Sequence, residues 1–574
     1  MTDGPAAIRE RWRELAGEVL RRAGRDTGSP EQALATTTYD GITVAPLYDA
    51  TDLPDTPAPL PRAEDGRAPG GPWQVRQRHE VADPDAVAAD LENGADSLWL
   101  AVAPEDLPRA LGGVHLDMIS IVLDAGARTP EAATALLTLA EERGVPFASL
   151  RGCLGADPLG HRLRSGTPAD LSQAAELARR CTGGLPGMRA MVVDATPYHE
   201  AGGSDAQELG CSIATGLAYL RALTDHGLTV DEAFGQLEFR YAATADQFAT
   251  IAKLRAARVV WARMAEVSGG PPGQFQHAVT SAAMMARRDP HTNMLRTTLA
   301  CFAAGVAGAD AVTVRPFDDA LGLPDAFSRR IARNTSVLLT EEAHVARVTD
   351  PAGGSWYVER LTADLADHAW RWFQEIEEAG GMAAALASGL VADRIAAVRA
   401  SRARDISRGR APIVGVSHYP DLSEPPRAPD PAPCPPEGAL RGIRYARDFE
   451  DLRDLADARP VRPRVFLATL GPAGEHAARA SFAAGVFHSG GIETVTGGPE
   501  DFDPRVTTVA CLCSSDGRYA EHASEAADAL REAGATRIWL AGRDRYDGVD
   551  ANLYAGCDVL EVVRTTLADL EVTR

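Results

Sequence analysis

Eight strand-like runs alternate with helix-like runs across the centre of this 574-residue chain. The strand-like runs are short and apolar or β-branched, whereas the runs between them repeat apolar residues at helical spacing. The eight runs are Trp73–Gln77, Ser97–Val102, Met118–Leu123, Phe147–Leu150, Met188–Val193, Leu237–Tyr241, Phe275–Thr280 and Ala311–Val314. Eight consecutive β-α units predict an α/β fold, a closed (β/α)8 TIM barrel of parallel strands.

A second, smaller alternation occupies residues 463–574. Its strand-like runs are Arg464–Leu470, Gly491–Val495, Thr507–Cys513 and Arg537–Leu540, with a weaker fifth at Leu553–Ala555. Its helix-like runs are Glu475–Phe487, Tyr519–Ala533 and Asp558–Leu570. This pattern predicts an open, doubly wound sheet of the flavodoxin type, whose ligands bind at the carboxyl ends of the strands.

A proline-rich stretch separates the two alternating regions. Residues Pro425 to Pro436 read PPRAPDPAPCPP, a composition that cannot continue a helix or a central strand. We therefore expect a helical arm over residues 1–45, a barrel over 46–405, a proline-rich linker over 406–462 and a flavodoxin-like domain over 463–574.

The N-terminal arm contains an amphipathic helix. Its apolar stripe is formed by Ile8, Trp12, Leu15, Val19 and Leu20. A helix outside the main body buries such a stripe either on its own chain or on a partner protein. Periodicity does not separate these alternatives, and we favour the partner.

Composition and charge narrow the class of protein. The chain is 45% hydrophobic and 24% charged, which is ordinary for a globular protein. Its net charge of −22 argues against nucleic acid or an anionic membrane as a partner. The N-terminus lacks a basic-then-apolar signal pattern, and no window approaches the ~20 apolar residues of a membrane span. We expect a cytoplasmic protein.

The eight cysteines do not form a metal-binding or redox pattern. None belongs to a CxxC pair, which argues against zinc ribbons and thioredoxin chemistry. Cys511 and Cys513 lie two apart in an apolar run, a spacing that places both on one face of a strand. We predict that they are buried as small hydrophobic side chains.

One glycine-containing loop lies where a doubly wound sheet binds its ligand. Leu470 to His476 reads LGPAGEH, between the strand-like run that ends at Leu470 and the following helix-like run. A strand, a glycine loop and a helix N-terminus normally form a phosphate or cofactor cradle, because free backbone N–H groups point outward there.

Four strings in the barrel half, followed by this loop, resemble the methylmalonyl-CoA mutase family. In chain order they are TIAKLRAARVVW at Thr250–Trp261, PFDDAL at Pro316–Leu321, FSRRIARNT at Phe327–Thr335 and DPAGGSWYVE at Asp350–Glu359. Each string alone is weak, but four in the right order before the right second domain form a specific signal. The resemblance implies a mutase-like barrel, a cobalamin-binding-type domain and radical isomerisation with adenosylcobalamin.

The loop departs from the family pattern where the cofactor would be ligated. The family has Asp-x-His-x-x-Gly, whose His ligates cobalt and is oriented by the Asp. The corresponding residues here are Ala473, Glu475 and Ala478, and His476 lies one residue too late. The resemblance therefore implies a degenerate loop (Gly471, Ala473, Gly474 and Glu475) that binds neither cofactor nor metal.

Further departures lie beside this loop. The Lys that precedes the family loop is Thr469 here, and the family's later Ser-x-Leu aligns with Ser514-Ser515-Asp516. The family's Gly-Gly aligns with Gly542-Arg543, and we expect the Arg543 side chain to lie where the backbone should approach a ligand.

The barrel strings also lack family residues that orient a CoA ester. The family has a Tyr after Arg-Gln on the first strand, where this chain has Arg78. In FQHAVTSA, His277 survives, but Phe275 and Val279 replace a family Arg and Gln. A family Gln on the last strand aligns with Asp310.

A general-acid motif of the family survives only in part. Tyr198 to Gly202 reads YHEAG, two residues shorter than the family's Tyr-His-x-x-Glu-Ala-Gly, so its first two residues either keep their places or are shifted. We predict no catalytic residue in this chain and regard Tyr198, His199 and His277 as degenerate remnants.

These departures imply the small, non-catalytic subunit of a heterodimeric enzyme of this family. The assembled enzyme would interconvert methylmalonyl-CoA and succinyl-CoA, and its large (alpha) subunit would be the partner that holds adenosylcobalamin and substrate. Two alternatives stay open. The chain is a stand-alone acyl-CoA mutase whose cobalamin has no protein His ligand, or it is a non-enzymatic binding scaffold.

Overall fold

The computed structural model describes residues 5–25, 28–53, 71–167, 170–425 and 440–572. The N-terminal part contains two helices, α1 (Pro5–Arg22) and α2 (Pro30–Leu34), and a short antiparallel pair, β1 (Thr36–Thr37) with β2 (Thr43–Val44). The proline-rich stretch lies outside the described residues, apart from Pro425.

Eight parallel strands form the predicted closed barrel. They are β3 (Gln74–His79), β4 (Ser97–Leu100), β5 (Ser120–Leu123), β6 (Arg151–Ala156), β7 (Met188–Asp194), β8 (Leu237–Ala243), β9 (Gln276–Thr280) and β10 (Ala311–Thr313). The strands pair in chain order, and β10 pairs with β3 to close the barrel. Each strand is buried on both faces because helices cover the outside and side chains fill the inside.

Helices surround the barrel and continue beyond its last strand. They are α3 (Pro84–Glu92), α4 (Leu107–Ala110), α5 (Thr129–Glu142), α6 (Pro158–Ser165), α7 (Ser172–Gly184), α8 (Thr196–Glu200), α9 (Asp205–Asp225), α10 (Val230–Gly235), α11 (Gln247–Ser268), α12 (Thr292–Val306), α13 (Ala326–Val337), α14 (Trp356–Glu378), α15 (Met382–Ala387), α16 (Leu390–Ser407) and α17 (Arg447–Asp457). The long helix α14 packs against α9 and α11 on the outside of the barrel.

One predicted strand was wrong. Residues Phe147–Ser149 form a 3-10 turn, and the fourth barrel strand is the next segment, β6. This strand contains Gly152 (φ 129°) and Gly155 (φ 77°). A Cβ at either glycine would lie less than 2 Å from a backbone carbonyl oxygen of β5, so only glycine permits this close approach.

The C-terminal domain has the predicted flavodoxin-like topology. Its strands are β11 (Arg464–Thr469), β12 (Glu493–Gly497), β13 (Val509–Cys513), β14 (Arg537–Ala541) and β15 (Ala551–Leu553). All are parallel, in the order β12-β11-β13-β14-β15. The helices are α18 (Ala473–Ser489), α19 (Asp516–Glu532) and α20 (Val559–Asp569). The order reverses between β11 and β13, which is where such sheets bind ligands.

The segment that leads into the C-terminal domain runs across the carboxyl face of the barrel. Backbone N–H groups of Leu440, Ile443 and Tyr445 donate to carbonyl oxygens of Leu163, Glu200 and Ala283, at 2.8, 2.8 and 2.9 Å. Those three acceptors follow β6, β7 and β9. The chain therefore covers the face on which TIM-barrel enzymes place their active sites.

None of the described helices combines the length and the apolar character that crossing a bilayer requires. The seven described cysteines are buried and unpaired, and Cys511 and Cys513 lie on β13 as predicted.

Candidate functional site

The inside of the barrel is occupied by large side chains. Trp99, Val122, Cys153, Val192 and Val279 come from five different strands and form one buried cluster. Each of these residues is at most 4% exposed. The cluster fills the centre of the barrel, as side-chain layers do in packed TIM barrels.

Arg240 fills the space above Trp99. Its guanidinium lies 4.0 Å from the centre of the Trp99 ring, and Nη1 donates to Asp194 Oδ2 at 3.0 Å. Burial disfavours ionisation of Asp194, but the positive charges of Arg240 and Arg164 outweigh it and lower the pKa of this carboxyl. Arg240 is therefore an ion-paired packing residue, with a position fixed from two sides.

His277 is held within the same layer. Arg240 Nε donates to His277 Nδ1 at 3.2 Å, so Nδ1 accepts and the ring proton lies on Nε2. Nε2 lies 2.8 Å from Thr313 Oγ1, to which it donates. Burial, with the charges of Arg76 and Arg240, holds the pKa of His277 well below its usual value. The remnant is a neutral, fully hydrogen-bonded residue.

Tyr198 and His199 lie on α8, immediately after β7, and both are buried. The Tyr198 hydroxyl is 3.3 Å from Thr215 Oγ1 on α9. His199 Nε2 is 2.7 Å from Ser281 Oγ, and burial lowers the pKa of the imidazole well below its usual value. Tyr198 is 1% exposed and His199 is 3% exposed, so both side chains pack within the protein around the barrel.

A buried lysine occupies the one set of described side chains arranged to ligate a metal. His199, Asp205 and Glu208 have ligand atoms within 4.8 Å of one another. Lys253 Nζ lies 2.9 Å from Asp205 and 2.7 Å from Glu208. Burial acts against its ammonium form, but the two carboxylates outweigh burial and raise the pKa of Lys253. The cation of this cluster is the lysine itself.

At the carboxyl end of β3 and β10 there is a cavity of about 200 Å³. Arg78, at the position of the family Tyr, stacks on Trp99 at 4.7 Å and pairs with Glu80. Arg315 is bound by Glu200 and Asp319. Pockets that bind drug-sized ligands usually measure about 300–1,000 Å³, so this cavity is too small for a CoA ester.

The glycine loop of the C-terminal domain is closed by an ion pair. Glu475, in the first turn of α18, accepts from Arg518 of α19 through both oxygens, at 3.0 and 3.3 Å. A Cβ placed on Gly471 would lie 3.0 Å from both Arg518 Nε and Glu475 Oε2. The pair therefore lies directly over the loop backbone, where a bound ligand would have to approach.

Comparison with known proteins identifies the family. A sequence model of methylmalonyl-CoA mutase matches residues 78–454, more than half of the chain. The methylmalonyl-CoA mutase small subunit of Streptomyces virginiae is 54% identical over 98% of this chain and 97% of its own length. This chain belongs to the methylmalonyl-CoA mutase family.

Two further relatives of the methylmalonyl-CoA mutase family show where the similarity extends. The small subunit from Propionibacterium freudenreichii subsp. shermanii is 38% identical over 100% of this chain and 96% of its own. The methylmalonyl-CoA mutase of Cereibacter sphaeroides is 34% identical, but over 71% of this chain and 64% of its own. The two small subunits thus match this chain over nearly its full length, whereas the Cereibacter sphaeroides mutase matches only part of it.

The mutase-family cofactor does not fit the loop as folded here. Glu475, which the resemblance places at the family's cobalt-ligand position, has its carboxylate engaged by Arg518. Gly542 is also covered, because a Cβ there would lie 2.9 Å from Arg479 Nη1. Arg543, which we expected over this backbone, instead stacks on Tyr554 at 4.4 Å. The backbone of this loop and of Gly542 is therefore covered by side chains of the protein.

Four residues that define these sites were not singled out from the sequence of this mutase-family chain: Trp99, Arg240, Arg479 and Arg518. Arg240 had a signal, because strand alternation places it on the same face as Glu238 in a strand buried on both sides. Arg479 and Arg518 lie on helices, and no local pattern indicates that they reach the glycine loop.

Proposed function

We propose that this chain is the small, non-catalytic subunit of a heterodimeric methylmalonyl-CoA mutase. The large subunit would hold adenosylcobalamin and the acyl-CoA ester and carry out the isomerisation. The observation that carries this proposal is the Glu475–Arg518 ion pair over Gly471. A scaffold for the cofactor is retained, but its ligand position is filled by a side chain of the protein.

The barrel supports the same proposal. Trp99, Arg240 and His277 pack across its centre, and the segment from Leu440 to Tyr445 crosses its carboxyl face. A CoA ester would have to displace a buried arginine from its carboxylate partner, which costs several kcal/mol. We infer that this barrel is a packed scaffold and that the catalytic barrel belongs to the large subunit.

The N-terminal helix supports a partner. Ile8, Leu15 and Val19 lie on α1 and are 60%, 56% and 64% exposed. Polar contacts hold α1 to the chain on its other side, including an ion pair of Arg9 with Asp52 at 2.9 Å. Leu20 of the same stripe is buried on this chain, but the described residues leave Ile8, Leu15 and Val19 uncovered, and we propose that the large subunit covers them. Unpaired cysteines support assembly in the reducing cytoplasm.

Co-expression with a candidate large subunit tests the proposal. Gel filtration should give a 1:1 complex, and absorbance should give one cobalamin per heterodimer. The isolated chain should bind no cobalamin and show no turnover. Two cobalamins per complex, or turnover by the isolated chain, would support the stand-alone mutase. Failure of the two chains to associate would favour the alternative that this chain is a non-enzymatic binding scaffold.

Paired truncations on α1 test the interface. Leu15→Ala with Val19→Ala should weaken association by about tenfold or more, because each lost apolar side chain removes about 1–2 kcal/mol of burial. The matched control is Glu14→Ala with Glu18→Ala, on the polar side of the same helix, which should change affinity little. Equal effects of the two pairs on the dissociation constant would contradict a role for the apolar stripe.

A further inference from the structure

Part of the cavity beside β3 lies outside the barrel wall. Arg76 and Arg78 point inward, towards Glu238 and Trp99, so strand alternation turns Gln77 and His79 outward. Contact of His79 with Asp90 of α3 agrees with this direction. We call the space between β3, α3 and α13 the outer chamber; it is lined by Gln77, His79, Ala86, Asp90, Arg329 and Ala332.

Two buried side chains of the outer chamber lack a hydrogen-bond partner. Gln77 is 6% exposed and His79 is 4% exposed. Neither Gln77 Nε2 nor His79 Nε2 makes a hydrogen bond, although both atoms are buried; His79 Nε2 lies 3.4 Å from Asp90 Oδ2 but without hydrogen-bond geometry. A buried polar atom without a partner costs about 1–3 kcal/mol, so such atoms in native proteins usually mark a bound water, ion or ligand.

Arg329 adds a positive charge that lies near the carboxyls of Asp90 and Asp325 without a direct ion pair to either. Its Nη1 donates to the carbonyl oxygen of Pro324, and it forms no ion pair with any described residue. The nearby carboxylates are engaged elsewhere, because Asp90 pairs with Arg333 at 2.7 Å and Asp83 accepts from two backbone N–H groups of α3. The amide nitrogen of Gln77 and the guanidinium of Arg329 can only donate. The missing partner is therefore an acceptor.

We propose that the outer chamber binds a small oxyanion, a carboxylate or a phosphate, between Arg329, Gln77 and His79. The site goes beyond the role proposed for this chain, since it requires neither cobalamin nor the large subunit. Arg329 supplies the charge, and Gln77 and His79 supply buried polar contacts. Neutral water would satisfy the amide but would leave the arginine without a direct ion pair, which favours an anion.

Isothermal titration of the full-length chain tests this site. Inorganic phosphate and malonate are titrated separately in buffers of equal ionic strength set with sodium chloride. We expect saturable binding of at least one of them, and the one that binds shows whether phosphate or carboxylate is the source. Heat that never saturates with either probe would mean that the chamber holds only water, and the proposal would be wrong.

Two variants locate the binding. Arg329→Gln should weaken affinity at least about tenfold, since it removes a charge-assisted hydrogen bond. Its matched control, Arg330→Gln, removes the same charge from the next residue, which faces Phe327, and should leave affinity unchanged.

Gln77→Leu should also weaken binding about tenfold. Its melting temperature without anion should be equal or higher, because it removes an unpaired donor. Equal affinities in Arg329→Gln and Arg330→Gln would refute the proposal, and if Arg329→Gln does not fold, unchanged affinity in Gln77→Leu would refute it.

Discussion

Replacing Arg240 by Met tests whether the barrel centre is a structural plug. The change keeps an apolar stem over Trp99 and removes the charge that faces Asp194. A carboxylate that is 5% exposed then stays in the barrel with a weaker set of partners. The substitution should destabilise the barrel, because an uncompensated buried charge is costly.

The size of the loss follows from the distances. At an effective dielectric constant of about 20, two unit charges at the observed 3.0 Å attract by about 5 kcal/mol. Arg164 remains 3.2 Å from the same Asp194 oxygen and retains part of this attraction. Removing one partner of a buried pair costs about 3–5 kcal/mol, and with Arg164 present we expect about 3 kcal/mol.

Urea unfolding followed by tryptophan fluorescence measures this loss. Seven of the eight tryptophans precede the C-terminal domain and Trp539 lies within it, so the signal reports mainly on the barrel part. The matched control is Arg189→Met on the preceding strand. Arg189 stacks on Phe275 at 4.2 Å but forms no ion pair with a described residue, so its loss should lower the free energy of unfolding by under about 1 kcal/mol.

A double substitution isolates the charge effect. Adding Asp194→Asn to Arg240→Met removes the carboxylate that has lost one of its two arginine partners and should restore about 2 kcal/mol. A loss in Arg240→Met no larger than in Arg189→Met would refute the reasoning. So would a double variant that is no more stable than Arg240→Met. Assembled with the large subunit, Arg240→Met should keep an unchanged KM, because this barrel is not proposed to bind substrate.

Three further predictions concern buried and exposed charges. Burial lowers the pKa of His79 to about 4, below its value in the unfolded chain, so His79 stabilises the fold only while it is neutral. Acidification from about pH 6.5 to pH 4 should therefore lower the free energy of unfolding by about 3 kcal/mol more in this protein than in His79→Gln, as measured by chemical denaturation. Lys253→Met leaves the buried Glu208 and the partly exposed Asp205 without their cation and should cost about 3–5 kcal/mol at pH 7. The deficit in melting temperature should shrink at pH 5, because burial raises the pKa of Glu208 to about 7 and its carboxyl is neutral there; a pH-independent deficit would contradict the assignment. Glu475→Ala and Arg518→Ala should each leave the melting temperature nearly unchanged, since the pair is partly exposed; a clear loss in both variants would show that the pair contributes to stability.

The predicted architecture rests on patterns that are local in the chain. Apolar runs alternate with amphipathic runs because a strand covered by helices on one side and a packed interior on the other must be apolar throughout. That pattern was sufficient for the barrel and for the flavodoxin-like sheet. It failed at β6, where Gly152 and Gly155 replace the β-branched residues that mark a strand, since close approach to β5 leaves no room for a Cβ.

The departure of the Gly471–Glu475 loop from the family pattern could be identified from residue types. The ion pair that closes this loop could not. That Glu475 stands at the ligand position is visible in the sequence. That Arg518, 43 positions later, covers the loop depends on the pairing of β11 with β13, which brings the starts of α18 and α19 together. The same limit applies to Arg543, whose side chain turns to Tyr554 rather than to the loop.

The sequence by itself determined the two α/β domains and the family, because these depend on residue type and on periodicity within single segments. The tertiary structure decided that the barrel is plugged, that Lys253 occupies the cluster of His199, Asp205 and Glu208, and that Arg329, which has no direct ion pair among the described residues, faces the outer chamber. Those features depend on which side chains meet across strands far apart in the chain. A distance between two such atoms is set by the packing of the whole domain and is written in no single stretch of sequence.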